Sequence, residues 1–149
     1  MADGRVGPVI LARHALDATL PPEAVWARWT EVSSWPAWDA SLERASAKGA
    51  FQAGTALELK RRQGALLRPV LVRVEEGRSF AFQEARFGTR VTTIHEVEAS
   101  PLGSRITQRV EVAGWAAWLV AFLRGPALRA ALPEALRGLV RHVAQAPAA

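Results

Sequence analysis

Polar and apolar residues alternate in short runs from Val9 to Ala113, and from Gly114 onward they recur every three or four positions. A period of two belongs to half-buried strands and a period near 3.6 to amphipathic helices. The first run, Val9–Ala18, puts Ile10, Ala12, His14, Leu16 and Ala18 on one face. Further strands are expected over 55–62, 67–75, 78–86, 89–99 and 104–113, with a weaker one over 45–50. Gly64, Glu76-Gly77, Phe87-Gly88 and Ser100-Pro101-Leu102-Gly103 divide them and suit hairpin turns. Runs so closely spaced, with no helix between them, predict a meandering antiparallel sheet.

Two helical segments interrupt the strands after the first. Pro21-Pro22-Glu23 reads as a helix start, because proline is favoured in the first turn and an acidic side chain suits the positive end of the dipole. Val25, Trp26 and Trp29 then form one apolar stripe. A second short helix is expected near Ser34, with that serine as its cap, Pro36 in its first turn, and Trp35 and Trp38 one turn apart. Four of the six tryptophans thus fall between positions 26 and 38. Past Gly114, Leu128, Leu132, Ala135, Leu136, Leu139, Val140 and Val143 keep helical spacing. Pro126 is expected to start a new helix, Pro133 to kink it or break it at Leu132, and the tail over 144–149 to fray.

Strand faces locate the candidate chemistry. Ile106, Gln108, Val110 and Val112 oppose Arg105, Thr107, Arg109 and Glu111, so the first set points inward. Val91, Thr93, His95 and Val97 oppose a face bearing Glu96 and Glu98, so His95 points inward as well. Phe80 and Phe82 bring Glu84 with them. Glu84, Thr93, His95 and Gln108 therefore share a face that should be buried. Such polar groups either satisfy one another, sit at the sheet's rim, or line a cavity in which they orient a ligand.

Composition narrows the classes. The 149 residues are half hydrophobic and 22% charged, which fits one globular domain over 1–149 and excludes a disordered chain. With no cysteine, disulfides, thiolate metal sites and cysteine nucleophiles are excluded. The longest apolar run, over 115–123, is far short of the roughly 20 residues of a spanning helix, and a soluble cytoplasmic protein is expected. The net charge of +5 shows only one basic run, Lys60-Arg61-Arg62, and no nucleic-acid-binding motif accompanies it. No nucleic-acid partner is expected. His14, His95 and His142 are too dispersed for a metal set, and no phosphate, dinucleotide or hydrolase-elbow motif occurs. Neither metal nor cofactor is expected.

Four segments resemble those of one family: 16–26 (LDATLPPEAVW), 35–39 (WPAWD), 49–55 (GAFQAGT) and 103–107 (GSRIT). Together with the element order they resemble the START-like (SRPBCC) superfamily, and within it the polyketide cyclase/dehydrase-like branch, from about Val9 to about Gln145. The resemblance implies an α+β helix-grip fold: a curved antiparallel sheet of six or seven strands wrapped around a long C-terminal helix, with two short helices after the first strand. It also implies a cavity between sheet and helix for a hydrophobic or amphipathic molecule, whether lipid, polyketide or aromatic. The residues expected there are Trp35, Trp38, Leu59, Phe80, Phe82, Glu84, Thr93, His95, Gln108, Val110, Leu132 and Leu136, with Val97 as a further wall.

Three functions stay open on these residues. One is binding or carriage of the ligand. Another is a cyclase- or dehydratase-like enzyme with His95 as base, Glu84 orienting it or raising its pKa, and Gln108 or Thr93 donating to an enolate oxygen. A protein-interaction module is the third. The aromatic stretch holding Trp115, Trp118 and Phe122 departs from the family pattern and suggests a cap on the cavity mouth, a transient membrane contact or an interface, with a monomer and a homodimer both open.

Overall fold

Strict alternation over the last third of the sheet produces its two longest strands, and the short prolyl segments before it produce the helices. A computed structural model describes residues 7–86 and 88–145. Phe87, expected in a turn, and residues 146–149 of the expected frayed tail lie outside them. The chain runs β1 (Val9–Ala18), α1 (Pro22–Thr30), a 3-10 turn (Val32–Ser34), α2 (Trp35–Trp38), β2 (Leu42–Ala47), β3 (Leu57–Arg61), β4 (Leu66–Leu67), β5 (Val70–Glu75), β6 (Ser79–Arg86), β7 (Thr89–Ser100), β8 (Gly103–Ala113) and α3 (Ala117–Gln145).

All pairings are antiparallel, in a five-stranded set ordered β1-β8-β7-β6-β5 and a three-stranded set ordered β2-β3-β4. An Ala56–Val70 bridge joins the two sets, and the Leu57 N–H donates to the Pro69 carbonyl at 2.8 Å. This is the helix-grip arrangement, with the sheet wrapped around α3. Eight strand segments stand where six or seven were expected, because the run over 67–75 divides at Arg68-Pro69. Proline has no N–H for the ladder. Leu66–Leu67 therefore pairs with β3, while Val70–Glu75 pairs with β6.

Local geometry corrects four further expectations. A bulge in β1 between Ile10 and Ala12 inserts Leu11, so Leu11 is buried and Ile10 turns to solvent at 54% exposure. The weak strand expected over 45–50 is Leu42–Ala47. Ser34 makes no side-chain cap to α2; its hydroxyl donates back to the carbonyls of Glu31 at 2.7 Å and Arg28 at 3.3 Å. Finally, α3 runs through both Pro126 and Pro133 as one helix. The carbonyls four residues before these prolines belong to Phe122 and Arg129, both exposed, so water can satisfy what the missing N–H groups leave free.

The core lies where α1, α2 and the second half of α3 meet the sheet. Trp29, Phe80, Leu57, Leu71, Ile106 and Leu139 are fully buried there. Trp26 and Trp29 meet edge-on at 6.2 Å, and the Trp35 indole N–H donates to the Trp29 carbonyl at 3.0 Å. Gly138 allows α3 to touch α2, since a Cβ at that position would lie 2.3 Å from the Trp38 carbonyl oxygen.

Candidate ligand cavity

The register of β6, β7 and β8 builds one wall of the site in rungs. Glu84 stands opposite Val91 and Val91 opposite Val112; Phe82 opposite Thr93 and Thr93 opposite Val110; Phe80 opposite His95 and His95 opposite Gln108. The next inward residue of β7, Val97, is buried in the core beneath α1. A cavity of about 420 Å3 opens above these rungs, between the sheet and α3.

Of the expected residues, Trp35, Trp38, Leu59, Phe82, Glu84, Thr93, His95, Gln108, Val110 and Leu132 line it. Phe80, Leu136 and Val97 do not. They face inward, but no more than 3% of any of them is exposed, and they pack the core. Alternation sets the face on which a residue stands but says nothing of its depth along the strand.

His95 closes the inner end and is 4% exposed. Its ring stacks on Phe80 with centroids 4.5 Å apart and planes within 4°. Trp29 meets it edge-on at 5.4 Å, and Trp35 lies tilted at 6.5 Å. No charge lies close enough to offset this desolvation, so burial pushes the imidazole from its usual 6.5 down to about 3. His95 is neutral at physiological pH. Its Nδ1 and the Gln108 side-chain oxygen are buried, and neither has a hydrogen-bond partner among the described residues.

The expected union of His95 with Glu84 does not form. Their rungs are four residues apart along β7, about 13 Å at the rise of a strand. Glu84 instead accepts from Arg86 Nε at 2.5 Å. The expected rise in the His95 pKa is replaced by a fall, because burial acts on it alone.

Several lining residues escaped the sequence reading: Leu11, Leu42, Leu67, Pro69, Val91, Val120, Leu128, Ala131 and Ala135 among the apolar ones, and Asp39, Arg61, Arg124, Glu134 and Arg141 among the charged. A signal for two of these existed. Arg124 stands in the stripe Val120, Leu128, Leu132, and Arg61 follows Leu57 and Leu59 on the inner face of β3. The basic run over 60–62 is divided among three tasks, with Lys60 3.6 Å from Glu43, Arg62 donating to the Ala40 carbonyl, and Arg61 on the cavity. Trp115, Trp118 and Phe122 do not line the cavity and are 70–76% exposed. Among the described residues no helix is long and apolar enough to cross a membrane.

The model of one protein family, polyketide cyclase / dehydrase and lipid transport, matches residues 12–146. The chain belongs to that family. Solved structures in the same fold include the KanY protein, with 17% identity over 93% of this chain and 99% of that one at a TM-score of 0.73. Norcoclaurine synthase from Thalictrum flavum, solved with dopamine and hydroxybenzaldehyde, is 14% identical over 100% and 98% of the two chains, with a TM-score of 0.73. The di-domain aromatase/cyclase StfQ of the steffimycin biosynthetic pathway is 12% identical over 92% of this chain and 51% of its own, with a TM-score of 0.72. No curated protein sequence matches this chain. Membership in the polyketide cyclase/dehydrase family supports a ligand-binding or cyclase role.

Proposed function

We propose that the protein binds and carries a small amphipathic molecule in the cavity between sheet and α3. The observation that supports this best is the inner end. A 420 Å3 space walled mainly by apolar side chains, closed by His95 Nδ1 and the Gln108 side-chain oxygen, neither with a partner among the described residues, is how sites for small apolar molecules are built. The Gln108 side-chain oxygen can accept from a hydroxyl of the ligand, and Nδ1 of the neutral His95 can accept from a hydroxyl or, in the tautomer that carries its proton there, donate to a carbonyl. Trp35 and Trp38 supply flat apolar surface beside it.

A cyclase- or dehydratase-like activity has the family description on its side and the inner end against it. A proton acceptor works best with a pKa near the operating pH, and an imidazole at about 3 is a weak base at neutrality. The carboxylate that would assist it stands two rungs away and is held by Arg86.

Titration with Nile red, an uncharged apolar dye, followed by its emission and by quenching of protein tryptophan, tests the reading. One-to-one saturable binding is expected, and Ala135→Trp, which places an indole in the cavity from a half-buried position on α3, should abolish it while the far-ultraviolet circular dichroism stays unchanged. Undiminished binding in that folded variant would place the dye elsewhere and remove the cavity from the function.

A further inference from the structure

Three apolar stripes run toward the outer end of the cavity, and each meets a charge there. On β3 the stripe Leu57, Leu59 ends in Arg61; on β6 the stripe Phe80, Phe82 ends in Glu84; on α3 Arg124 stands between Val120 and Leu128. All three charged residues line the cavity. Glu84 is engaged by Arg86. Neither Arg61 nor Arg124 has a side-chain hydrogen bond or ion pair among the described residues.

The two guanidiniums also feel each other. Arg124 is held below its usual value by burial first, then by the charges of Arg61 and Arg86, with Glu84 opposing them. The remaining carboxylates on the lining are occupied: Asp39 accepts from the Ser41 N–H at 3.0 Å and from its hydroxyl at 2.7 Å, and Glu134 pairs with Arg137. Half-buried like charges that repel one another are unfavourable without a counter-charge, and at Arg124 the Glu84 carboxylate alone opposes the guanidiniums of Arg61 and Arg86.

We propose that Arg61 and Arg124 together receive an oxyanion, a carboxylate or phosphate, carried at the outer end of the bound molecule. The ligand is then an anionic amphiphile whose apolar body reaches inward to His95 and Gln108. Arginine suits the task because its planar fork can pair with two oxygens of one head group. The assignment rests on the cavity being the ligand site, and it adds which end of the molecule faces out.

Dodecanoate, dodecyl phosphate and dodecanol share one chain and differ at the head. Isothermal titration of the full chain, below the concentrations at which these probes self-associate, should show at least one anionic probe binding about tenfold or more tightly than dodecanol. The stronger of the two names the head group. Arg61→Gln and Arg124→Gln should each remove most of that advantage and leave dodecanol within about twofold of wild type. Equal affinity for all three probes in wild type would overturn the anion receptor while leaving the cavity reading intact. Equal losses for charged and uncharged probes in the variants would overturn it too, by making the arginines structural. Failure of every probe, together with failure of Nile red, would overturn the cavity reading itself and the receptor with it.

Discussion

His95 and Arg124 line one cavity, yet the two ends they mark are built on opposite principles. At the inner end, position is fixed by rings: Phe80 stacks on the imidazole, Trp29 meets it edge-on, and Trp35 is tied to the Trp29 carbonyl. The imidazole is buried there, and desolvation holds it neutral as a result. At the outer end, Arg61 and Arg124 are half-buried, and among the described residues no side-chain hydrogen bond or ion pair fixes them. The inner end has a shape before any ligand arrives, whereas the outer end has a charge. Preorganised packing confers shape selection, and unpaired charge confers selection by head group.

Substitutions at the two ends should therefore differ most in stability. Trp29→Ala removes the fully buried ring that underlies His95 and should cost about 3–5 kcal/mol in urea unfolding. A loss below about 1 kcal/mol would mean that the aromatic layer does not hold the inner end. Gly138→Ala forces a Cβ against the Trp38 carbonyl and should cost about 1–3 kcal/mol, in the range of overpacked cores, with tryptophan emission shifted because α2 must move.

Acid offers a gentler probe of the same contrast. The pKa of His95 lies near 3 when folded and near 6.5 when unfolded, so between those values the unfolded chain binds a proton that the folded one refuses. Its contribution is fully present above pH 6.5 and declines as the pH falls toward 3, by about 1.4 kcal/mol per pH unit. In His95→Phe this dependence should disappear, leaving a shallower acid limb in stability measured between pH 6 and pH 4. An unchanged limb would show that the imidazole is solvated. The smallest effect belongs to the outer end, where Arg124→Gln should change stability by no more than about 0.5 kcal/mol, since the side chain has no hydrogen-bond or ion-pair partner to lose among the described residues.

The inner end was largely legible in the sequence and the outer end was not, for a physical reason. Period-two alternation on β6, β7 and β8 betrays any polar residue caught on the apolar face, which marks Thr93, His95 and Gln108 toward the inner end, and Glu84 as the one outer-end charge it also marks. Depth leaves no such trace. Phe80, Val97 and Leu136 carry the same inward signature as true lining residues, and only the placement of α1 and α2 over them makes them core. Arginine on a helix or at a strand end ordinarily reads as a solvated face, so neither Arg61, in its basic run, nor Arg124 signals a cavity although each stands in an apolar stripe. The bulge at Leu11 and the division at Pro69 depend on pairing partners distant in the chain, which local pattern does not encode.

The two prolines of α3 give that helix a property its neighbours lack. Each removes one rung of the internal hydrogen-bond ladder, and both gaps fall on the stretch that borders the cavity, before Leu136, Leu139 and Val143 engage the core. Curvature can change at those gaps with no further bond broken, as in a jointed rod clamped at one end. The sheet side of the cavity is braced by unbroken cross-strand ladders, whereas the helix side carries two gaps in its own ladder.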